Sequence, residues 1–286
     1  MNVTELRDGE VFLPKRKAET HKSDYGKLLI IGGCVGYTGA PNLCAKAAVR
    51  SGAGLVYLGV PAPIYEITAV KQDEAMPFPL PADAQGGISA DAVDIIKEKL
   101  QNCDVCAVGP GMGKGDGTAT VVRWLLENWE KPLVLDADAL NVLSGQTELL
   151  KKRTAPTILT PHDGEFARLG GVIDGEREDC ALRFAQEYGC ILVLKGHRTI
   201  VAFPTGEVYR TTHGNPGMAK GGSGDVLTGV IAGLLGQLPV EQAVTTAVYL
   251  HSYAGDLCEK SVGEYAMTAS DLIVMLVAAS KSIIKE

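Results

Sequence analysis

Short apolar runs alternate with longer amphipathic stretches along most of the chain. KLLIIGG (27–33) is an unbroken apolar run closed by glycine, the pattern of a strand buried on both faces. LVYLGV (55–60), DVCAVGPG (104–111), PLVLDAD (132–138), TILTPHD (157–163) and CILVLKG (190–196) repeat it, with a shorter strand expected near 75–80. Between them the spacing predicts a helix opened by Pro41 and closed near Gly52, one through about Lys71, and one capped by Ser89 and running to Leu100. Two more are expected through Trp129 and near 176–188. Strands alternating with helices imply right-handed crossovers and a mostly parallel sheet covered on both faces, a three-layer α/β/α arrangement.

After residue 196 the pattern changes. Two short β-prone runs, 199–203 and 208–212, flank the turn PTGE and read as an antiparallel hairpin at the sheet edge. GNPGMAKGGSGD (214–225) then leads into three helices, about 225–236, 240–259 and 268–284. Thr268 with Asp271 three residues on resembles a capping box. No linker, repeat or composition break divides the chain, so residues 1–286 are expected to form one domain.

Composition narrows the function. Of 286 residues 46% are hydrophobic and 21% charged, a globular balance. The 34 glycines cluster after the apolar runs, as turns built around a ligand would require. A net charge of −7 leaves no general electrostatic grip on nucleic acid. The polar N-terminus lacks a signal-peptide core, and no apolar run is long enough to span a bilayer, so no membrane partner and a cytoplasmic location are expected. Seven cysteines, mostly inside apolar runs, fit a reduced compartment; Cys103-x-x-Cys106 has no second pair and reads as strand rather than metal site.

In an open parallel sheet, ligands gather beyond the carboxyl ends of the strands. Segments 33–40, 109–117, 136–141, 160–165, 195–199 and 214–225 all fall there. Dinucleotide and hydrolase motifs are missing, and GPGMGKGDG is one residue short of a Walker loop and lacks its hydroxyl. The richest segment is 214–225. Small residues before a helix leave amides free at its positive end, which suits phosphate oxygens. Asp225, in the first turn, is placed to take a proton from an attacking hydroxyl, although a lone Gly-Asp also fits a simple cap.

GNPGMAKGGSGDVLTG resembles the signature of the NAD(P)H-hydrate dehydratases, which have the ribokinase-like fold. GGCVGYTGAP, RSGAGLV, VGPGMG, VLDADALN, LTPHDGEFARL and VLKGHRT agree in order, over roughly 25–280. The resemblance implies dehydration of hydrated NADH or NADPH (NADHX, NADPHX) driven by ADP, with ATP as an alternative donor and AMP and phosphate as products. It implies Asp225 as the catalytic base and as a substrate contact with Ala40, Gly111, Gly113 and His162. Lys195, Gly196, His197, Arg198, Thr199, Gly222, Ser223 and Gly224 would hold the nucleotide. Glu165 would hold Mg2+ through water. No fused epimerase domain is expected, so a separate epimerase would be the pathway partner, and relatives imply a homo-oligomer, a tetramer by preference.

Read alone, several of these residues fit blander roles. His162 and Glu165 could cap the helix they precede, Ala40 could serve helix packing, and 195–199 could be a charged turn. Asp136 and Asp138 are fair acid–base candidates in isolation, but the resemblance points to Asp225 instead, and they are read as loop-ordering. A small-alcohol kinase of the same fold would share the base and the anion hole, and a nucleotide sensor would need no base at all.

Overall fold

The computed structural model describes residues 2–285. In chain order its strands are β1 (Val3–Leu6), β2 (Leu13–Pro14), β3 (Lys27–Ile31), β4 (Leu55–Pro61), β5 (Met76–Leu80), β6 (Val105–Val108), β7 (Leu133–Leu135), β8 (Thr157–Leu159), β9 (Ile191–Leu194), β10 (Ile200–Ala202), β11 (Val208–Thr211) and β12 (Ile284–Lys285). Ten of them make one sheet in the order β1-β11-β10-β9-β8-β7-β6-β3-β4-β5, and β2 pairs with β12. All neighbours in the large sheet are parallel except across the β9–β10–β11 turns.

The helices are α1 (Gly39–Arg50), α2 (Tyr65–Val70), α3 (Ala92–Leu100), α4 (Asp116–Asn128), α5 (Asp138–Val142), α6 (Asp163–Arg168), α7 (Arg177–Tyr188), α8 (Ser223–Leu235), α9 (Val240–Ala266) and α10 (Ala269–Ile283). Alternate strand residues feed two cores. Leu28, Ile30, Val105, Ala107, Val134 and Val193 pack under α1, α8, α9 and α10. Leu29, Ile31, Cys106, Val108, Leu135 and Leu192 pack under α3, α4 and α7. Burial on both faces explains why the strands read as continuous apolar runs.

The antiparallel hairpin forms as expected, but it is not the outermost element: a further strand, β1, pairs parallel outside it, tied by Arg210 Nη2 to Glu5 Oε1 at 2.9 Å. Helix α3 starts later than expected. Ser89 Oγ accepts from the Asp91 amide at 3.2 Å and so caps the turn leading into α3 rather than the helix itself. Helix α9 continues beyond 259 to a break at Gly263, and the Thr268–Asp271 capping box opens α10. Cys103 and Cys106 are buried free thiols.

The parallel run β9-β8-β7-β6-β3 fixes the site. Its strand ends put 195–199, 160–165, 136–141, 109–113 and 32–40 side by side at one edge. Helix α8 packs on α1 and over β6 and β7, bringing its first turn to the same edge.

Candidate active site

Gly222 caps α8 at φ +98°, a conformation that favours glycine, and a Cβ there would meet Leu43 Cδ1 at 2.7 Å and Ala269 Cβ at 2.8 Å. The turn leaves the amides at the start of α8 at the helix's positive end, suited to an anion. Asp225 is the third residue of α8 and half-buried, and its carboxylate accepts no hydrogen bond among the described residues. Burial is the main reason its carboxyl is pushed up to about 7. The charges of Asp136 and Asp138 add to the effect and Lys195 opposes it. A carboxylate with that affinity is poised to accept a proton near neutrality.

Beside it opens a cavity of about 720 Å³, within the range of small-molecule sites. Lys195, Gly196, His197, Arg198 and Thr199 line one side, Ser223 and Gly224 another, and His162 reaches the rim. The residues expected to hold nucleotide are thus brought together, save Gly222, which shapes the helix start from behind. Arg177 steadies the turn: its Nη2 donates to the Lys195 carbonyl at 3.1 Å, and its Nη1 to Asp163 Oδ1 at 2.6 Å. Arg198 holds a positive φ of 59° within that turn.

Ala40, Gly111 and Gly113 lie outside this cavity, on the β3–β6 side. A Cβ at Gly111 would lie 3.1 Å from Ala40 Cβ, so these two positions form one surface. The Gly113 amide donates to Asp138 Oδ2 at 2.8 Å.

His162 and Glu165 do form a cap. His162 Nδ1 accepts from the amides of Gly164 at 3.0 Å and Glu165 at 3.3 Å, and Glu165 Oε2 accepts from the His162 amide at 2.9 Å. This capping box opens α6, yet the imidazole remains about half exposed toward the cavity.

Lys195 is not a free cation. Its Nζ lies 2.9 Å from Asp136 Oδ1 and 3.7 Å from Glu165 Oε2. Burial works against its charge, but Asp136, Glu165 and Asp225 outweigh burial and hold the ammonium above its ordinary value. Asp136 is buried and triply engaged. Its Oδ1 also accepts from Thr160 Oγ1 at 2.8 Å, and its Oδ2 from Thr228 Oγ1 at 2.8 Å. In the sequence alone it reads as a loop-ordering residue; an aspartate ending a buried strand amid glycine loops is the signal that could single it out. His251, also unforeseen, lies in the cavity wall. Burial pushes it down to about 4, so it stays neutral and donates from Nε2 to the Ser223 carbonyl at 2.8 Å.

Among the described residues no group of three or more histidine, cysteine or acidic side chains could hold a metal ion alone. Magnesium commonly takes one or two carboxylates and completes its shell with water and phosphate oxygens. Glu165, largely engaged within the protein, fits such an ion only through water and alongside a nucleotide's phosphates.

A doubly covered, mostly parallel sheet with a lysine at a strand end, facing a glycine-rich helix start that bears an aspartate in its first turn, defines a ribokinase-like enzyme. The chain belongs to the NAD(P)H-hydrate dehydratase family, whose model matches residues 28–277. It is 46% identical over 269 residues to the bifunctional NAD(P)H-hydrate repair enzyme of Moorella thermoacetica, covering 92% of this chain and 51% of that one. It is 38% identical over 271 residues to the ADP-dependent (S)-NAD(P)H-hydrate dehydratase of Neisseria meningitidis, covering 92% and 87%. The Bacillus subtilis ADP/ATP-dependent NAD(P)H-hydrate dehydratase, co-crystallised with ATP and Mg2+, superposes with a TM-score of 0.84 at 31% identity, covering 99% of both chains. The chain spans about half the length of the first curated relatives it matches.

Proposed function

We propose that this chain dehydrates hydrated NADH or NADPH back to the reduced cofactor, consuming ADP and releasing AMP and phosphate. The observation that carries the reading is Asp225: a carboxylate that accepts no hydrogen bond among the described residues, with its proton affinity raised to about 7, beside the amides that start α8. A kinase-like site supplies what dehydration needs, because hydroxide leaves poorly and a phosphate ester leaves readily.

Asp225 takes the proton of the ring hydroxyl as its oxygen attacks the β-phosphorus of ADP. The new O–P bond forms while the bond to AMP breaks, and AMP departs. The amides at the start of α8 and the Lys195 ammonium stabilise charge on the transferred group. The ring nitrogen's electron pair then expels inorganic phosphate, and the adjacent carbon loses a proton to restore the double bond. Magnesium, when bound with the nucleotide near Glu165, would neutralise phosphate charge.

Lys195, Gly196, His197, Arg198 and Thr199 serve the nucleotide in this reading, while Ala40, Gly111, Gly113 and His162 meet the hydrated ring. A separate epimerase would supply the accepted epimer, and the protein would work in the cytoplasm as a homo-oligomer. The test is to incubate the chain with hydrated NADH, ADP and Mg2+ and follow the return of reduced-ring absorbance. One AMP and one phosphate per restored ring is the expected stoichiometry. A stable phosphorylated product, as a small-alcohol kinase would leave, overturns the reading; so does restoration without nucleotide consumption.

A further inference from the structure

The turn at the end of β7 is built against backbone preference. Ala137 lies at φ 48°, ψ −115°, a conformation that residues with side chains rarely adopt. Gly109, at φ +127°, passes so close beneath that a Cβ there would lie 1.8 Å from the Asp136 carbonyl oxygen. This turn carries two carboxylates to two tasks. Asp138 accepts from the Gly113 amide and from Asn141 Nδ2 at 3.1 Å. Asp136 goes inward to Thr160, Lys195 and Thr228. Thr228 stands on α8 three residues after Asp225, so Asp136 is anchored to the helix that bears the base.

We propose that Asp136 is a positioning residue of the phosphoryl-transfer site, holding Lys195 at the cavity wall and keeping one negative charge behind Asp225. The inference rests on the dehydratase reading above. The groups that bear on Asp225 are Asp136 and Asp138 from the end of β7, Lys195 from the end of β9 and the buried Cys44 thiol of α1. Helix α9 contributes the neutral His251, and α10 brings the apolar Ala269 to Gly222. Asp136 is the carboxylate with the larger effect on Asp225, and it also restrains the one cation that opposes that effect.

Asp136→Asn separates charge from shape. The amide oxygen still accepts from Thr160 and Lys195, and the amide nitrogen donates to Thr228, whose hydroxyl accepts as well as it donates. Rate is then measured against pH. The acid limb of the variant should move to lower pH by about one unit, the low end of what a neighbouring like charge does to a carboxyl, and the plateau rate should fall with the weaker base. A purely structural role would lower the rate without moving the limb. A folded variant whose limb coincides with the wild type's overturns the proposal.

Should that variant fail to fold, Lys195→Met is compared with the double variant Lys195→Met and Asp136→Asn, which buries no unpaired charge. The limb of the double variant should lie below that of Lys195→Met, and coincidence of the two overturns the proposal. Titration of Asp225 by carboxyl carbon NMR gives the same comparison without turnover. Absence of turnover in the wild type would therefore sink the dehydratase reading, while the Asp225 titration still decides the role of Asp136.

Discussion

Lys195 Nζ lies 2.9 Å from Asp136 Oδ1, so this cation in the wall of the nucleotide cavity is partly neutralised by the protein itself. The pair has an asymmetric exposure: 19% of the lysine side chain is accessible and 1% of the aspartate's. The lysine can therefore turn toward an arriving phosphate while the aspartate stays fixed.

Lys195→Ala should weaken ADP binding more than binding of the hydrated cofactor, because the lost charge faces the phosphates. It should also destabilise the fold, leaving Asp136 as a buried carboxylate without its cation. Breaking such a pair costs about 3–5 kcal/mol when fully buried, and the low end applies to a lysine in contact with water. Calorimetry with each ligand alone and denaturant unfolding check the two halves. Equal weakening of both ligands would show that the 195–199 loop serves something other than nucleotide.

Asp225 gives two linked expectations. As the base it must be ionised, so the rate should rise through an acid limb near pH 7 rather than near the ordinary carboxylate range. Asp225→Asn should lower kcat by about 10²–10⁴ while leaving ADP affinity nearly intact. A correctly folded variant with near-normal kcat would remove the residue from that role.

The same raised affinity has a sign in stability. Between the unfolded value of 3.8 and the folded value of about 7, the native state holds a proton that the unfolded chain has released. Stability from this group is therefore present at low pH and lost as pH rises across that window. Asp225→Asn removes the penalty. It should melt higher than the wild type at pH 8, with the gap closing toward pH 4. A constant gap in thermal melts across that range would mean that the carboxyl titrates normally.

How much of this was legible in the sequence depended on distance along the chain. The inner strands announced themselves because burial on both faces leaves no polar alternation. VTEL did not, being four residues long and half polar at the outer edge of the sheet. The first turn of α8 was readable because its glycines and Asp225 are contiguous. The His162–Glu165 cap spans three residues, so it was foreseeable as one of two roles, and the structure shows that role in place. Asp136 was underread for the opposite reason: Thr160, Lys195 and Thr228 lie 24, 59 and 92 residues away, and only the fold brings them together.

Gly222→Ala should damage the anion site through backbone geometry alone. The position needs φ +98°, and the added methyl would press on Leu43 and Ala269. Strain of this kind costs about 1–3 kcal/mol, before the loss of amide alignment at α8. Denaturant unfolding should show the destabilisation, and ADP affinity should fall with it. Unchanged ADP affinity in a destabilised variant would mean that phosphate does not sit at the start of α8.

His162 combines a cap with a surface that the hydrated ring would meet, and the two can be pulled apart. His162→Ala removes the acceptor for the Gly164 and Glu165 amides and should cost about 1 kcal/mol, the usual loss of an N-cap. His162→Asn restores a good capping side chain without the imidazole. If the imidazole contacts the substrate, the asparagine variant should melt with the wild type yet show a raised KM for hydrated NADH, with ADP affinity unaltered. The alanine variant should show both defects. An asparagine variant with wild-type stability and wild-type KM would reduce His162 to its cap, and leave recognition of the ring to Ala40, Gly111 and Gly113 outside the cavity on the β3–β6 side.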